Sequence, residues 1–130
     1  MNELECSLLL YYGGRSRSSA KIINEQIKNT QNKNKKTIEA MHRIKESAYR
    51  MKDAVLTGSF PSFAEMLSAA WQEKKKTSSV VSNRELERTI DYALANGAKA
   101  VKVSGAGGGG MVMIYCEPID RQKLIDALKQ

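Results

Sequence analysis

Val101 to Glu117 reads VKVSGAGGGGMVMIYCE. Four consecutive glycines, Gly107 to Gly110, and a fifth at Gly105 stand between two apolar, strand-like runs. Glycine reaches backbone angles closed to other residues and lets another group approach the main chain closely. Successive N–H groups with no side chains in the way make a cradle for an anion. The plainer alternative is a long, flexible hairpin turn, since glycine loops are common in hairpins. Gly105, Gly107 and Gly110 satisfy G-x-G-x-x-G, but that fingerprint must open a helix. A strand follows here, which argues against a dinucleotide fold. A P-loop needs Lys after its last glycine, where this chain has Met111.

Working outward, Ala98 to Ser104 alternates as a strand with Val101 and Val103 inward and Lys102 outward. Met111 to Cys116 is the second strand. Pro118 and Asp120 precede a final helix that buries Leu124, Ile125 and Leu128. Upstream, Ser82 and Glu85 form a capping box for a helix lined by Leu86, Ile90 and Leu94 and stopped at Asn96-Gly97. A polar loop, Thr77 to Ser79, separates it from another helix. There Ser62 and Glu65 form a capping box, and Phe63, Met66, Leu67, Ala70 and Trp71 share one face. Trp71 reads as a core anchor or as the wall of a pocket. A longer helix from Thr37 repeats Ile38, Met41, Ile44, Ala48, Met51 and Val55 at three- and four-residue steps and ends at Gly58. Its His42 lies off that stripe and reads as a surface residue, and Met41, Met51 and Met66 read as core filler.

The chain opens with Leu4 to Tyr12, LECSLLLYY, a continuous apolar run expected to be a central strand ending at Gly13-Gly14. Arg15-Ser16-Arg17-Ser18-Ser19 then opens a helix through Ile23 and Ile27, with Ser18 or Ser19 as its cap. Two arginines at a helix N-terminus after a glycine turn suit an anion, since dipole, N–H donors and guanidinium forks agree. The alternative is two exposed loop arginines. Asn29 to Lys36 is either the frayed end of this helix or a surface loop. The order is thus β, four helical segments, β, glycine loop, β and a last helix. That segregation argues α+β with an antiparallel sheet of three to four strands packed against helices. So thin a sheet leaves an edge exposed, lacks a strand, or is covered by another domain. A chain that starts almost directly in an apolar strand is expected to be a piece of a larger protein.

At 130 residues, with 42% hydrophobic and 27% charged residues, the composition is that of one ordinary globular domain. No apolar run approaches a membrane span, and the acidic start, MNELECSLLLYY, is no signal peptide. Cys6 and Cys116 are expected as buried, reduced thiols in strands, which suits a cytoplasmic protein. The net charge of +7 raises a nucleic-acid partner. Few aromatics accompany the lysine clusters Lys33, Lys35, Lys36 and Lys74 to Lys76, however, so solvated helix ends are expected instead.

The hairpin from Lys102 to Gly110, KVSGAGGGG, resembles the third motif of the GHMP small-molecule kinases. LLLYYGGRSRSSAKIINEQ, SFAEMLSAAWQEKKKTSSVVSN and KVSGAGGGGMVMIYCEP together resemble the C-terminal domain of one branch, the D-glycero-D-manno-heptose 7-phosphate kinases. The resemblance covers nearly the whole chain and implies a ferredoxin-like C-terminal domain taking part in ATP- and Mg²⁺-dependent phosphoryl transfer to a sugar-phosphate substrate. It also implies an N-terminal kinase domain as partner. The family's P-x-x-x-G-L-G-S-S-A loop belongs to that domain and is absent here, since neither Pro61 nor Pro118 begins it. No catalytic residue or metal ligand is therefore assigned to this chain, which is expected not to turn over alone. The resemblance places Ser104, Gly105, Ala106, Gly107, Gly108, Gly109 and Gly110 in the phosphate cleft. Arg15, Ser16, Arg17 and Ser18 fall on the substrate side, where the two arginines are inferred to bind the acceptor's phosphate. Gly108→Val is expected to abolish activity and spare the fold. The rival from another class is a stand-alone module that binds a phosphometabolite without catalysis. Neither nucleic acid nor membrane is expected as a partner, and homo-oligomerisation is left open.

Overall fold

The computed structural model describes residues 2–14 and 18–130. Its elements are α1 (Asn2–Ser7), β1 (Leu8–Tyr12), α2 (Ser19–Gln31), α3 (Lys35–Leu56), α4 (Phe60–Lys75), α5 (Arg84–Ala95), β2 (Ala98–Val103), β3 (Met111–Cys116), a 3₁₀ turn (Pro118–Asp120) and α6 (Arg121–Leu128). The three strands form one antiparallel sheet in the order β1-β3-β2, as α+β reasoning requires.

Two departures concern the start of the chain. The run from Leu4 does not begin as a strand: Asn2–Ser7 is a short helix and only Leu8–Tyr12 is extended. Cys6 therefore sits exposed on α1, while Cys116 is buried on β3. The Arg121 guanidinium closes this helix, donating to the carbonyls of Cys6 at 2.8 Å and Leu8 at 2.7 Å. Nor is β1 central. It is an edge strand, and β3 takes the middle. The apolar run of β1 does not mean burial on both faces, because Leu10 and Tyr12 remain 66% and 63% exposed.

Side chains alternate across the sheet. One face carries Val101, Val103, Val112, Ile114 and Cys116, packed with Ile22 of α2, Trp71 of α4, Leu86 and Ile90 of α5, and Leu124 of α6. Trp71 is a core anchor, 1% exposed. The register places Leu8, Tyr115 and Ala100 in one row of the other face, and Leu10, Met113 and Lys102 in the next. α3 and α4 cover the first row through Met51, Phe60, Phe63, Ala64 and Leu67. In the second row Met113 still packs against this cluster, whereas Leu10 is exposed.

α3 buries a face different from the expected apolar stripe. Its buried residues are Thr37, Ala40, Ser47 and Ala54. Small side chains let it lie close to α4, while Met41, Val55 and Leu56 are exposed and Met51 and Met66 only half-buried. Of the three methionines read as core filler, Met51 does pack against the core beneath α3 and α4, Met66 is half-buried and Met41 is exposed; His42 is exposed as expected. On α5, Ala93 is buried and Leu94 exposed. Of the final-helix trio, Leu124 is fully buried, whereas Ile125 and Leu128 are half-buried.

The helix caps also differ. Ser62 lies inside α4, whose N-cap is Ser59 and makes no side-chain cap bond. Asn83, not Ser82, caps α5 by accepting from the Leu86 amide at 3.0 Å, and Ser82 donates its hydroxyl to Glu87. Ser18 occupies the N-cap of α2 without a side-chain bond. α2 does not fray at Asn29. Asn29 and Gln26 donate to Thr77, at its carbonyl (3.1 Å) and its hydroxyl (2.8 Å), and Glu25 accepts from the amide and hydroxyl of Ser79. Thr77 and Ser78 are buried, so this polar connection is an internal joint.

Loss of an N-cap bond costs about 1 kcal/mol. Asn83→Ala is expected to lower unfolding stability by that amount, while Ser59→Ala leaves it nearly unchanged. Urea denaturation of both variants checks this, and equal effects would refute the capping assignment.

Candidate functional site

The glycine loop is packed rather than free. Ser104 donates its amide to the Met111 carbonyl at 2.8 Å and closes the hairpin. Beyond it the chain folds back onto the α4–α5 connection. The Gly108 amide donates to the Val81 carbonyl at 2.6 Å, and Asn83 reaches the Gly108 carbonyl at 3.4 Å. Gly107, Gly108 and Gly109 are buried. Gly107 has φ +110°, and a Cβ there would stand 2.7 Å from the Val81 carbonyl oxygen, closer than real contacts allow. Gly108 has φ +77°, a conformation that strains a β-branched residue. The expectation that Gly108→Val spares the fold is therefore narrowed: the substitution is expected to cost stability through backbone strain as well as activity.

The remaining amides point to chemistry. Among the described residues, those of Gly105, Ala106, Gly107 and Gly109 have no hydrogen-bond partner. Gly107 and Gly109 are buried, where amides are normally paired, while Gly105 is exposed and Ala106 half-buried; a run of unpaired amides suits an anion. The Gly13 amide donates to the Gly110 carbonyl at 2.8 Å, so the turn after β1 lies against this loop. Ser18 is described and exposed. Arg15, Ser16 and Arg17, inferred to hold the acceptor's phosphate, lie outside the described residues.

Lys74 was expected, with Lys75 and Lys76, to be a solvated helix end; it is half-buried instead. Its ammonium donates to the Gly105 carbonyl. Burial, then the nearby charge of Lys102, pushes it down to about 8. Lys102 was expected to point outward, but its face is partly roofed; it is half-buried, and burial lowers its pKa as well. The other two lysines of the cluster are neutralised, Lys75 by Glu87 at 3.3 Å and Lys76 by Glu73 at 2.8 Å. Lys74 and Lys102 have no carboxylate partner among the described residues. Burial pushes the Cys116 thiol up, so it is no ready nucleophile. No cluster of three or more His, Cys, Asp or Glu side chains that could hold a metal ion occurs among the described residues. No described helix is long and apolar enough to cross a membrane.

The domain is α+β, and among the described residues its glycine hairpin sets unpaired amides beside the Lys74 ammonium; the family follows from comparison. Residues 51–130 match the family model described as GHMP kinases C terminal, and the chain belongs to that family. It is 39% identical over 129 residues to the D-glycero-alpha-D-manno-heptose 7-phosphate kinase of Campylobacter jejuni, covering 99% of this chain and 38% of that protein. A D-glycero-D-manno-heptose 1-phosphate kinase structure from Bacteroides thetaiotaomicron superposes with a TM-score of 0.63 at 31% identity, over 98% of this chain and 30% of that one. The Streptococcus pneumoniae phosphomevalonate kinase, solved with phosphomevalonate and AMPPNP, gives 0.75 at 17% identity over 95% of this chain and 36% of that one. At that identity the likeness is one of fold. The chain therefore spans about a third of the length of these relatives.

Two outcomes are expected. Gly107→Ala loses stability by about 1–3 kcal/mol from backbone strain alone, measured by thermal or urea unfolding; wild-type stability would refute the packing. Lys74 holds its proton less tightly folded, at about 8, than unfolded, at 10.5. The burial penalty is therefore full below about pH 8 and is relieved as pH rises toward 10.5. Wild type should gain stability relative to Lys74→Met across that window, and a difference flat in pH would refute the burial of a charged amine.

Proposed function

We propose that this chain is the C-terminal domain of an ATP-dependent sugar kinase acting on a heptose phosphate, and that it supplies the glycine loop to phosphoryl transfer. The observation that carries this function is the loop itself, whose amides at Gly105 to Gly107 and Gly109 have no partner among the described residues. Amides held rigidly in a packed turn offset charge that develops on a transferred phosphoryl group, with no reorganisation during reaction. The 39% identity to a heptose 7-phosphate kinase over 99% of the chain supports a heptose phosphate as acceptor.

ATP is the phosphoryl donor expected of a GHMP kinase. The groups at the loop are N–H donors and ammoniums, which suit phosphate oxygens rather than a cation. Any Mg²⁺ brought with the nucleotide would take its ligands from the phosphates and from the N-terminal kinase domain, and that domain would contribute the catalytic groups. The exposed apolar residues Leu10, Tyr12 and Met111 support such a partner. They sit on the same sheet face as Lys102, beside the loop, where a second domain would close a cleft. The chain alone is expected to be inactive, and the protein is expected to work in the cytoplasm.

The test is a chimera in which this chain replaces the corresponding C-terminal segment of the Campylobacter kinase. ATP-dependent phosphorylation of heptose 7-phosphate by the folded chimera is expected. A folded chimera that binds the sugar phosphate but transfers nothing would favour a module for binding alone. Within an active chimera, Arg17→Ala should raise the KM for the sugar phosphate much more than that for ATP. Equal effects on both would overturn the assignment of Arg17 to the acceptor.

A further inference from the structure

Among the described residues, two half-buried ammoniums without a carboxylate stand beside a loop rich in unpaired amides. Lys74 is the penultimate residue of the sixteen-residue helix α4. Lys102 lies two residues before Ser104, which opens the loop. The ammonium of a lysine has three donors, and Lys74 spends one on the Gly105 carbonyl. Two remain. A buried cation without a counter-charge is a standing cost, and here two of them repel each other. The neighbouring Lys75 and Lys76 are relieved of that cost by Glu87 and Glu73.

We propose that Lys74 and Lys102 form a two-ammonium clamp for a phosphate group at the mouth of the glycine loop, with Lys74 also holding the loop in its anion-receiving shape through the Gly105 carbonyl. The clamp deepens the kinase reading and rests on it. The ligand chemistry is that of a phosphate monoester or anhydride. It is presented either by the nucleotide's terminal phosphate or by the phosphate the acceptor already carries. The groups facing Lys74 are Lys102 from β2 and the Gly105 carbonyl from the loop; Glu73, beside it on α4, is engaged by Lys76 and Arg43. An anion between the two lysines therefore has no carboxylate from β2 or the loop to compete with among the described residues.

The test follows the lysine side-chain and glycine amide resonances of the isotopically labelled chain by NMR against pH. The probes are AMPPNP without metal and D-mannose 6-phosphate, with sodium chloride at matched ionic strength as control. Lys74 is expected to titrate near 8 in the free chain, the value its burial sets. A bound phosphate should raise that midpoint by about one unit or more, move Lys102 in the same direction, and be without effect as chloride. Tighter binding of AMPPNP identifies the nucleotide phosphate as occupant; tighter binding of mannose 6-phosphate identifies the acceptor's. Lys74→Gln should weaken binding about tenfold, as loss of one charge-assisted hydrogen bond does, and Lys74→Arg should largely retain it. Lys102→Gln, which removes no bond to the loop, should weaken binding too and guards against a trivial collapse at Gly105. If the amides of Gly105 to Gly109 respond to a probe while both lysine titrations stay fixed, the clamp is overturned and the loop reading stands. If neither loop nor lysines respond, both fall.

Discussion

The hydrogen bond from the Gly108 amide to the Val81 carbonyl, 2.6 Å long, is the joint on which the site depends. It ties a hairpin between two strands to the connection between two helices, across the layer boundary of the domain. Without it the glycine run would be an entropically free turn. With it, Gly107 to Gly109 are buried and the loop is fixed against the core. The close approach at Gly107, where no Cβ fits against Val81, is the steric half of the same joint. Val81 is itself fully buried, so the loop leans on the core rather than on a mobile surface.

The connection that receives the loop is held from the other side by α2. Gln26 and Asn29 bond Thr77, and Glu25 bonds Ser79. One short polar segment thus links the helix that follows the Gly13-Gly14 turn to the loop that follows β2. The turn after β1 is set against the end of the glycine loop by the Gly13 amide on the Gly110 carbonyl. Backbone pairing does this, not charge.

Much of this was legible in the chain. The bounds of β3, Met111 to Cys116, could be read directly, because glycines end it on one side and Pro118 follows on the other. The helices α4 and α5 were visible in their apolar faces. The failures have physical causes. Asn2–Ser7 spans fewer than two turns, too short to show a helical period, and its Leu4 runs into an apolar strand. On α3 the buried contacts are made by Thr37, Ala40, Ser47 and Ala54, since close helix packing selects small side chains over large apolar ones. Caps were displaced by one to three residues because any Ser or Asn near a helix start can serve. Nothing in the spacing of Lys74, Lys75 and Lys76 separates them. Lys74 differs only through a loop 31 residues away, which no local pattern encodes. The family resemblance located the loop, but the steric need for its glycines came from the contact with Val81.

β1 ends the sheet, and among the described residues it pairs only with β3. Its outer N–H and C=O groups adjoin the bare side chains of Leu10 and Tyr12. An open edge beside apolar surface is a template for strand addition by a second molecule. The opposing influence in this chain is colloidal, since a net charge of +7 keeps copies apart through mutual repulsion. Repulsion of that kind reaches about 10 Å at 0.1 M salt and about 3 Å at 1 M. For this chain taken by itself, dispersal is therefore expected to depend on ionic strength, concentrated salt removing a barrier that the sheet edge does not provide.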